Sequence, residues 1–265
     1  MRSQNLDPLT RFGFTFRRGG AHSARTYMLE DLEQLLKYLK RPQSSQSLYI
    51  NAIEEENCLG KRSKKTRSLT SRHLIELYSL DPHIALFRIL LYLWERDPDS
   101  HPLLALLCTY VRDALFRETS PFVLSLQINE TITRETLEKW IEEKYPGRFS
   151  PATLKSVAQN INGTWTKSGH LHGKTKKIRT PVNPTPGSLV YALVLGYLTG
   201  NRGQLLFSTE YIKLLDCSYE EATSLAEIAS RKGWIVYKRI GDIMEVQFPN
   251  FFTKEEQGWI YEQNR

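Results

Sequence analysis

Within about fifty residues of this chain, signals for a helix, a turn, a second helix and a hairpin follow one another. Thr133 can cap the first helix, and the Pro-Gly pair after it can end that helix. Ser150 can cap the second helix with Pro151 at its first helical position. Gly169 can then close that helix in the left-handed conformation. This order of elements predicts a winged-helix-like unit over residues 131–182.

The hairpin that completes this unit is strongly basic. Residues 170–182 read HLHGKTKKIRTPV and predict two short strands that turn near Gly173. A basic wing of this kind contacts the phosphate backbone or the minor groove, so it adds affinity rather than sequence preference. Its cations lie near the tip and on the return strand, at Lys174, Lys176, Lys177 and Arg179.

The acidic residues are distributed in a way that points to an anionic ligand. Residues 144–209 form a stretch of 66 residues without an aspartate or glutamate, although it holds nine lysines and arginines. A carboxylate in such a stretch would repel phosphate, so its absence favours a polyanion-binding face. A second acid-free run, residues 57–75, is either a solvated surface or a second contact. Its basic residues include Lys61, Arg62, Lys64, Lys65 and Arg67.

The second helix of the basic unit, residues 150–168, predicts two different faces. Apolar residues recur with helical spacing and face the preceding helix. The opposite face is polar and carries no acid, whereas an ordinary surface helix would usually carry one. Asn and Gln can pair with adenine edges, and Lys can pair with guanine or phosphate. We therefore predict a groove-reading helix with Lys155, Gln159, Asn160, Asn162, Thr166 and Lys167 on its contact face.

The rest of the chain predicts a mainly α-helical protein with small β-hairpins. An arm over residues 1–20 contains Arg17 and Arg18, which are either solvated or in contact with a phosphate. Helical periodicity over residues 21–130 predicts a bundle whose first helix starts at Ser23. Residues 183–265 again order helices before a hairpin, but glutamates on the third helix make it a poor phosphate partner.

Several classes of protein are disfavoured. The longest apolar runs are shorter than the ~20 residues of a membrane-spanning helix, and no apolar leader precedes the first helix. We expect a cytoplasmic protein without a membrane partner. The three cysteines are widely spaced and odd in number, which favours reduced thiols over a disulfide framework.

No catalytic motif or cofactor site is evident, so we expect a non-enzymatic protein. The nearest approach to a nuclease site is Asp242 with Glu245, which we interpret as a turn residue and a strand-surface residue. His170 and His172 alternate on a predicted strand and would share one face. No Cys or carboxylate lies nearby to complete a metal site, so we expect these rings to meet phosphate or solvent.

Several segments resemble one known family. They read SPATLKSVAQNINGTWTKSGHL, KKIRTPV, GSLVYALVLGYLTG, STEYIKLLD and RKGWIVYKRIGDIMEV, preceded by LGKRSKKTRSLTSRHLIELYSLDPHIALFRILLYLW. Together they resemble the BrxA proteins of bacterial BREX phage-defence systems over most of residues 21–249. The resemblance implies a DNA-binding component whose N-terminal helical part is NusB-like. It also implies action beside a methyltransferase, a phosphatase-like protein and an ATPase, and it brings no catalytic residues.

The leading hypothesis is a non-enzymatic subunit that binds double-stranded DNA. Binding of RNA in an antitermination-like or ribonucleoprotein role is the first alternative, because basic blocks do not select one nucleic acid. A protein adaptor with an acidic partner is a second alternative, and a nuclease is the last.

Overall fold

The computed structural model describes residues 8–40, 42, 44–241 and 243–263. Within them the protein is mainly helical with small antiparallel sheets, which confirms the predicted fold class at this level. The helices are α1 (Leu29–Leu39), α2 (Gln46–Glu54), α3 (Lys64–Tyr78), α4 (Ala85–Arg96), α5 (His101–Arg112), α6 (Ala114–Leu124), α7 (Arg134–Lys144), α8 (Pro151–Lys167), α9 (Pro186–Leu198), α10 (Glu210–Lys213), α11 (Tyr219–Arg231) and α12 (Lys254–Gln263). The strands are β1 (Thr131–Ile132), β2 (Leu171–His172), β3 (Lys177–Arg179), β4 (Val236–Ile240) and β5 (Ile243–Gln247).

The chain forms two compact units, and each combines separated stretches of sequence. Residues 15–82 and 108–182 form one unit, called here the basic unit because it contains the run 57–75 and eight of the nine cations of residues 144–209. The described residues of 1–14, 83–107 and 183–265 form the other, called here the terminal unit. The domains predicted from the sequence, 1–20, 21–130, 131–182 and 183–265, were consecutive in the chain. Long-range contacts therefore group the elements differently from a division made along the sequence.

Capping residues begin α7 and α8 where the sequence indicated. The Thr133 side chain accepts a hydrogen bond from the N–H of Thr136, and the Ser150 side chain accepts one from Thr153. Gly169 ends the second of these helices with φ of 89°, a conformation that glycine adopts without steric cost. These predicted helix boundaries are confirmed.

The basic unit contains a three-stranded antiparallel sheet, in which β1 precedes α7 and the β2–β3 hairpin follows α8. Its order is β1-β3-β2, so the return strand of the predicted hairpin is the central strand. Thr131 pairs with Ile178, and Leu171 pairs with Arg179. The predicted hairpin is confirmed, but strand β1 was not predicted because two residues are too short to show an alternating pattern.

The start of the first helix was predicted wrongly. Ser23 closes a short 3₁₀ turn, Ala21–Ser23, and α1 begins only at Leu29. The intervening backbone is held by tertiary contacts, among them a hydrogen bond from the N–H of Tyr27 to Oγ1 of Thr164. Packing of this segment against α8 therefore outweighs the preference of Ser23 for a helix N-cap position.

The terminal unit is built around α9, whose residues from Gly187 to Leu195 are all buried. Apolar residues cover all sides of α9, and a helix of this composition is stable when it is buried on all sides. The Tyr191 hydroxyl donates to the carbonyl of Leu86 on α4 at 2.9 Å. After α9 come α10, then α11, capped by Ser218, then the β4–β5 hairpin, in the predicted order. Helix α12 was not predicted.

Candidate nucleic-acid interface

Helix α8 exposes the polar side chains of its N-terminal half. Lys155 and Gln159 are exposed, whereas Val157, Ala158 and Ile161 are buried in the basic unit. The predicted apolar face therefore packs inward as expected. The N-terminal residues of a recognition helix are the ones that reach base edges in helix-turn-helix proteins, so this exposed half has suitable chemistry.

The C-terminal half of α8 is packed into the protein. Asn160 donates its amide to the carbonyl of His22 at 3.0 Å, and Asn162 is only 3% exposed. A Cβ added to Gly163 would lie 2.9 Å from a methyl carbon of Thr26, so this glycine allows close packing against a neighbouring segment. The Asn160 amide is therefore engaged within the unit, which corrects its predicted role in reading bases, whereas Asn162 is nearly buried but lines the cleft between α8 and the wing.

Thr166 and Lys167, at the end of α8, are occupied by other protein groups. Lys167 forms an ion pair with Glu30 of α1. Partial burial would raise the pKa of Glu30, but the hydrogen bond and charge of Lys167 help to bring it below its usual value. Thr166 donates to the carbonyl of Asn162 at 2.7 Å and accepts from Lys177. These two predicted contact residues are engaged within the fold.

The wing divides its cations into exposed and engaged groups. Lys174 and Lys176 are exposed beside the turn. Lys177 is half-buried and donates to Oγ1 of Thr166 at 2.8 Å and to the carbonyl of Gly173 at 3.1 Å. Its burial lowers the pKa of Lys177. Two of the three tip lysines therefore remain available for phosphate.

Arg179 is a structural residue and not a surface cation. It is 2% exposed, and its guanidinium donates to the carbonyls of Thr180 at 2.5 Å and His170 at 3.4 Å. Successive side chains of a strand point to opposite faces of the sheet, and Arg179 lies on the inner face, whereas Ile178 before it is exposed. The predicted phosphate contact is corrected, because a nucleic acid has no surface of Arg179 to contact.

A cleft of about 410 Å³ lies between the middle of α8 and the wing. Gln159, Lys174 and Lys177 line it, and α7 contributes Arg134 and Glu135. The carboxylate of Glu135 therefore lies beside residues of the stretch that is free of acids in the sequence. Hydrogen bonding at the start of α7 and the neighbouring guanidinium hold the pKa of Glu135 below its usual value.

Sequence reasoning missed Arg134 and Glu135 as residues of this cleft. Arg134 contacts Glu135 at 2.5 Å and Glu138 at 2.7 Å, which fixes the guanidinium over the first turn of α7. The usable signal was the Thr133 cap, because it places these residues at the helix end that approaches α8. The described lining of the cleft therefore contains three cations, Arg134, Lys174 and Lys177, and one carboxylate, Glu135.

The second basic run lies at the start of α3. Arg62, Lys64 and Lys65 are exposed, and Arg67 is half-buried. The positive end of the α3 dipole lies at this turn, and these cations add to its positive potential. This helix end therefore attracts anions. Lys61 is different, because it contacts Asp31 of α1 at 2.6 Å and is partly neutralised.

Arg17 and Arg18 lie at a separate cleft of about 390 Å³ in the basic unit. Both side chains are exposed, and the glycine pair after them forms part of the cleft wall. Arg112 also lines the cleft, but two of its nitrogens donate to the carbonyls of Ile75 and Glu76 at 3.0 Å. The two arm arginines are therefore the accessible cations here.

A hydrogen-bonded Thr-His-Asp series lies beneath this surface. His22 contacts Asp113 through Nδ1 at 2.9 Å and Thr164 through Nε2 at 2.8 Å. Burial alone would raise the pKa of Asp113, but His22 and two backbone N–H groups hold it below its usual value. All three side chains are buried, so no substrate could reach the threonine hydroxyl. This series is a structural clamp between α6, α8 and the Ala21–Ser23 turn.

The groups considered for metal chemistry do not assemble into a site in the part of the chain that the structure describes. Asp242 of the proposed pair lies outside the described residues, and Glu245 is exposed opposite Lys238. His170 is buried and contacts Ser168 at 2.8 Å, whereas His172 is exposed. The prediction that both rings share one accessible face was therefore wrong.

Comparison with known proteins does not identify the chain. Neither a protein-family model nor a curated protein matches it. Separately, none of the helices within the described residues is long and apolar enough to cross a membrane.

Proposed function

We propose that the protein is a non-enzymatic component that binds double-stranded DNA through the basic unit. The observation that carries this proposal is the cleft between the middle of α8 and the wing. Gln159 and Lys174 line this cleft, and Lys155 and Lys176 are exposed near them in the sequence. In this proposal Gln159 contacts base edges and the three lysines contact phosphates. Phosphate contacts set position and affinity, while base contacts supply any sequence preference.

The order of elements supports a winged-helix interpretation of residues 131–182. A winged helix carries a strand before its second helix and a hairpin after its third, and these strands form one antiparallel sheet. Here β1 precedes α7, the β2–β3 hairpin follows α8, and the sheet order is β1-β3-β2. Helix α6 would be the first helix of the motif. The recognition helix would then be α8, the helix whose N-terminal half is exposed.

The salt dependence of binding tests this proposal. Each phosphate that a lysine neutralises contributes about 0.9 to the slope of log affinity against log salt. Replacing Lys155, Lys174 and Lys176 with alanine should therefore reduce the slope for duplex DNA by about 2.7, which is about a 100-fold loss of affinity at 0.15 M salt. Fluorescence anisotropy of a labelled duplex at four salt concentrations measures both quantities.

A matched variant controls for net charge. Lys37, Lys213 and Lys254 are also exposed, and replacing them with alanine removes the same three charges from other surfaces. This variant should keep nearly the whole slope. Equal slopes for the two triple variants would show that the α8–wing cleft is not the site. Gln159→Ala should leave the slope unchanged and reduce discrimination between duplex sequences.

RNA binding is the alternative that the chemistry of the cleft leaves open, since lysines meet phosphates of either nucleic acid. Competition at one salt concentration separates the two. Duplex DNA should displace a labelled DNA probe more effectively than double-stranded or single-stranded RNA of the same length. The opposite order would favour the ribonucleoprotein role. No detectable binding to either would favour a protein adaptor.

We further propose that this DNA-binding role belongs to a BREX-type phage-defence system, as a BrxA-like protein whose helical part over residues 21–130 is NusB-like. The support is the resemblance of residues 59–94 and of segments within 150–246 to that family. The proposal requires genes for a methyltransferase, a phosphatase-like protein and an ATPase beside the gene for this chain. Deletion of the gene should raise phage plating efficiency, and the Lys155, Lys174 and Lys176 triple variant should fail to restore protection.

A further inference from the structure

The cleft between α8 and the wing combines amide groups with ammonium groups. Its volume of about 410 Å³ lies within the range of sites that hold small organic ligands. Gln159 and Asn162 contribute two amides from one side of α8, since residues three apart on a helix are neighbours. Lys174 and Lys177 contribute two ammonium groups from the wing. The described residues that line the cleft include no aromatic side chain.

The side chain of Asn162 is the observation that points to a ligand. Asn162 is 3% exposed and lines the cleft. Within the described residues, its amide oxygen Oδ1 is buried and accepts no hydrogen bond. A buried polar atom without a partner destabilises a fold, and an apolar side chain at this position would avoid that cost. A ligand that donates an O–H or N–H to Oδ1 would supply the partner.

The wing side of the cleft is suited to an anion. Lys174 is exposed, and Lys177 is half-buried and uses two of its three N–H donors within the protein. Burial lowers the pKa of Lys177, and a neighbouring anion would favour its charged form. On the α7 side, the carboxylate of Glu135 is paired with Arg134 at 2.5 Å. The two lysines therefore make the wing side the favourable place for a negative group.

We propose that this cleft binds a ribose 5-phosphate unit, with its phosphate on Lys174 and Lys177 and its hydroxyls on Asn162 and Gln159. A phosphate monoester carries close to two negative charges at neutral pH, which matches two ammonium groups. A hydroxyl both donates and accepts, so it can partner Oδ1 of Asn162 as well as an amide N–H. A nucleobase would lack an aromatic ring to stack on among the described lining residues. The proposal goes beyond duplex binding but shares Gln159 and Lys174 with it, so this ligand and duplex DNA should compete.

Titration calorimetry with ribose 5-phosphate, ribose and inorganic phosphate tests the assignment. Ribose 5-phosphate should bind the wild type, and ribose and phosphate should each bind at least about tenfold more weakly, because each makes only part of the contacts. Lys174→Ala should weaken ribose 5-phosphate about tenfold and leave ribose unchanged. Lys37→Ala is the matched control, because Lys37 is exposed on α1 in the same unit, and it should bind like the wild type.

Asn162→Leu separates ligand binding from folding. Leucine keeps the branched shape of the side chain and removes the unpartnered amide, so the thermal unfolding midpoint should rise. Ribose 5-phosphate should bind this variant at least about tenfold more weakly, because the amide contacts are lost. A lower midpoint with unchanged affinity would mean that the amide is structural and would overturn the proposal. Lys174→Ala changes an exposed residue, so it still tests binding if the leucine variant fails to fold.

No binding of ribose 5-phosphate to the wild type would overturn the proposal, and so would equal affinity for inorganic phosphate, which would make the cleft a simple anion site. Adenosine monophosphate then identifies the source of the sugar phosphate. Tighter, Asn162-dependent binding of adenosine monophosphate would indicate a ribonucleotide, whereas equal or weaker binding would indicate a free sugar phosphate, and both support the site.

Duplex binding is measured in parallel by anisotropy, so that the two proposals fail separately. Duplex binding without ribose 5-phosphate binding overturns this inference alone. Ribose 5-phosphate binding without duplex binding overturns the proposed DNA-binding function alone.

Discussion

Replacing Asp113 with alanine should strongly destabilise the basic unit. Its carboxylate is 2% exposed and accepts three hydrogen bonds, two from His22 and one from the N–H of Phe116. The last of these caps α6. None of the residues of this clamp was predicted from the sequence, so the stability that it contributes tests the tertiary arrangement directly.

The contacts set the magnitude. A buried donor left without a partner costs about 1–3 kcal/mol, and breaking a buried charged pair costs about 3–5 kcal/mol in total. We expect a loss of about 3–5 kcal/mol in the free energy of unfolding, a large part of the ~5–15 kcal/mol typical of native proteins. Asp113→Asn keeps an oxygen for capping and should lose less.

Urea denaturation measures the loss, with Ser63→Ala as the reference. Ser63 caps α3 in the same unit, but it is exposed and carries no charge. Losing such a cap alone costs about 0.5–2 kcal/mol. If Asp113→Ala shifts the free energy of unfolding no more than Ser63→Ala does, the clamp is only a helix cap and our reasoning is wrong.

The pH dependence gives a second result with a definite sign. Because the folded-state pKa of Asp113 is lowered, its contribution is complete above the unfolded-state value of about 3.9. It is lost as the pH falls from there through the lower folded-state pKa. The stability difference between the wild type and Asp113→Ala should therefore shrink as the pH falls below about 4. A difference that grew in acid would contradict this assignment.

Two further predictions concern cysteine reactivity and helix packing. Burial raises the pKa of Cys58 and of Cys217 to about 11. At pH 8 both thiols should therefore react with Ellman's reagent about 100-fold more slowly than free cysteine. Reaction rates like those of free cysteine would contradict this prediction. Gly187→Ala should lower stability by about 1–3 kcal/mol, because its Cβ would lie 2.6 Å from Oδ2 of Asp97, whereas Gly258→Ala meets open space in α12 and should gain up to ~1 kcal/mol. Thermal unfolding midpoints compare the two glycine variants, and equal shifts would contradict the predicted clash.

The local structure of α7, α8 and the wing was predictable because its signals act over three or four residues. Capping by Thr133 and Ser150 and the positive φ of Gly169 depend only on neighbouring backbone groups. The apolar stripe of α8 also identified its buried face. The same local rules were enough to predict which polar side chains are exposed, namely those of Lys155, Gln159, Lys174 and Lys176.

The remaining site residues depended on partners that are distant in the sequence. Lys167 meets Glu30 across 137 residues, and Asn160 meets the His22 carbonyl across 138. Lys61 contacts Asp31, and the cleft beside the acid-free stretch of sequence contains Glu135 from α7. A charge pattern read along the chain counts neighbours in sequence, whereas electrostatic energy depends on distance in space.

The sequence by itself determined that the chain is mainly helical, where α8 and its basic hairpin lie, and that positive charge is concentrated there. Only the tertiary structure decided which of those cations remain available. Strand β1 joined the hairpin in a three-stranded sheet whose inner face carries Arg179, and the Ala21–Ser23 turn contacts the second half of α8. The physical reason is that local backbone preferences act over a few residues, whereas burial and ion pairing depend on contacts between segments far apart in the chain.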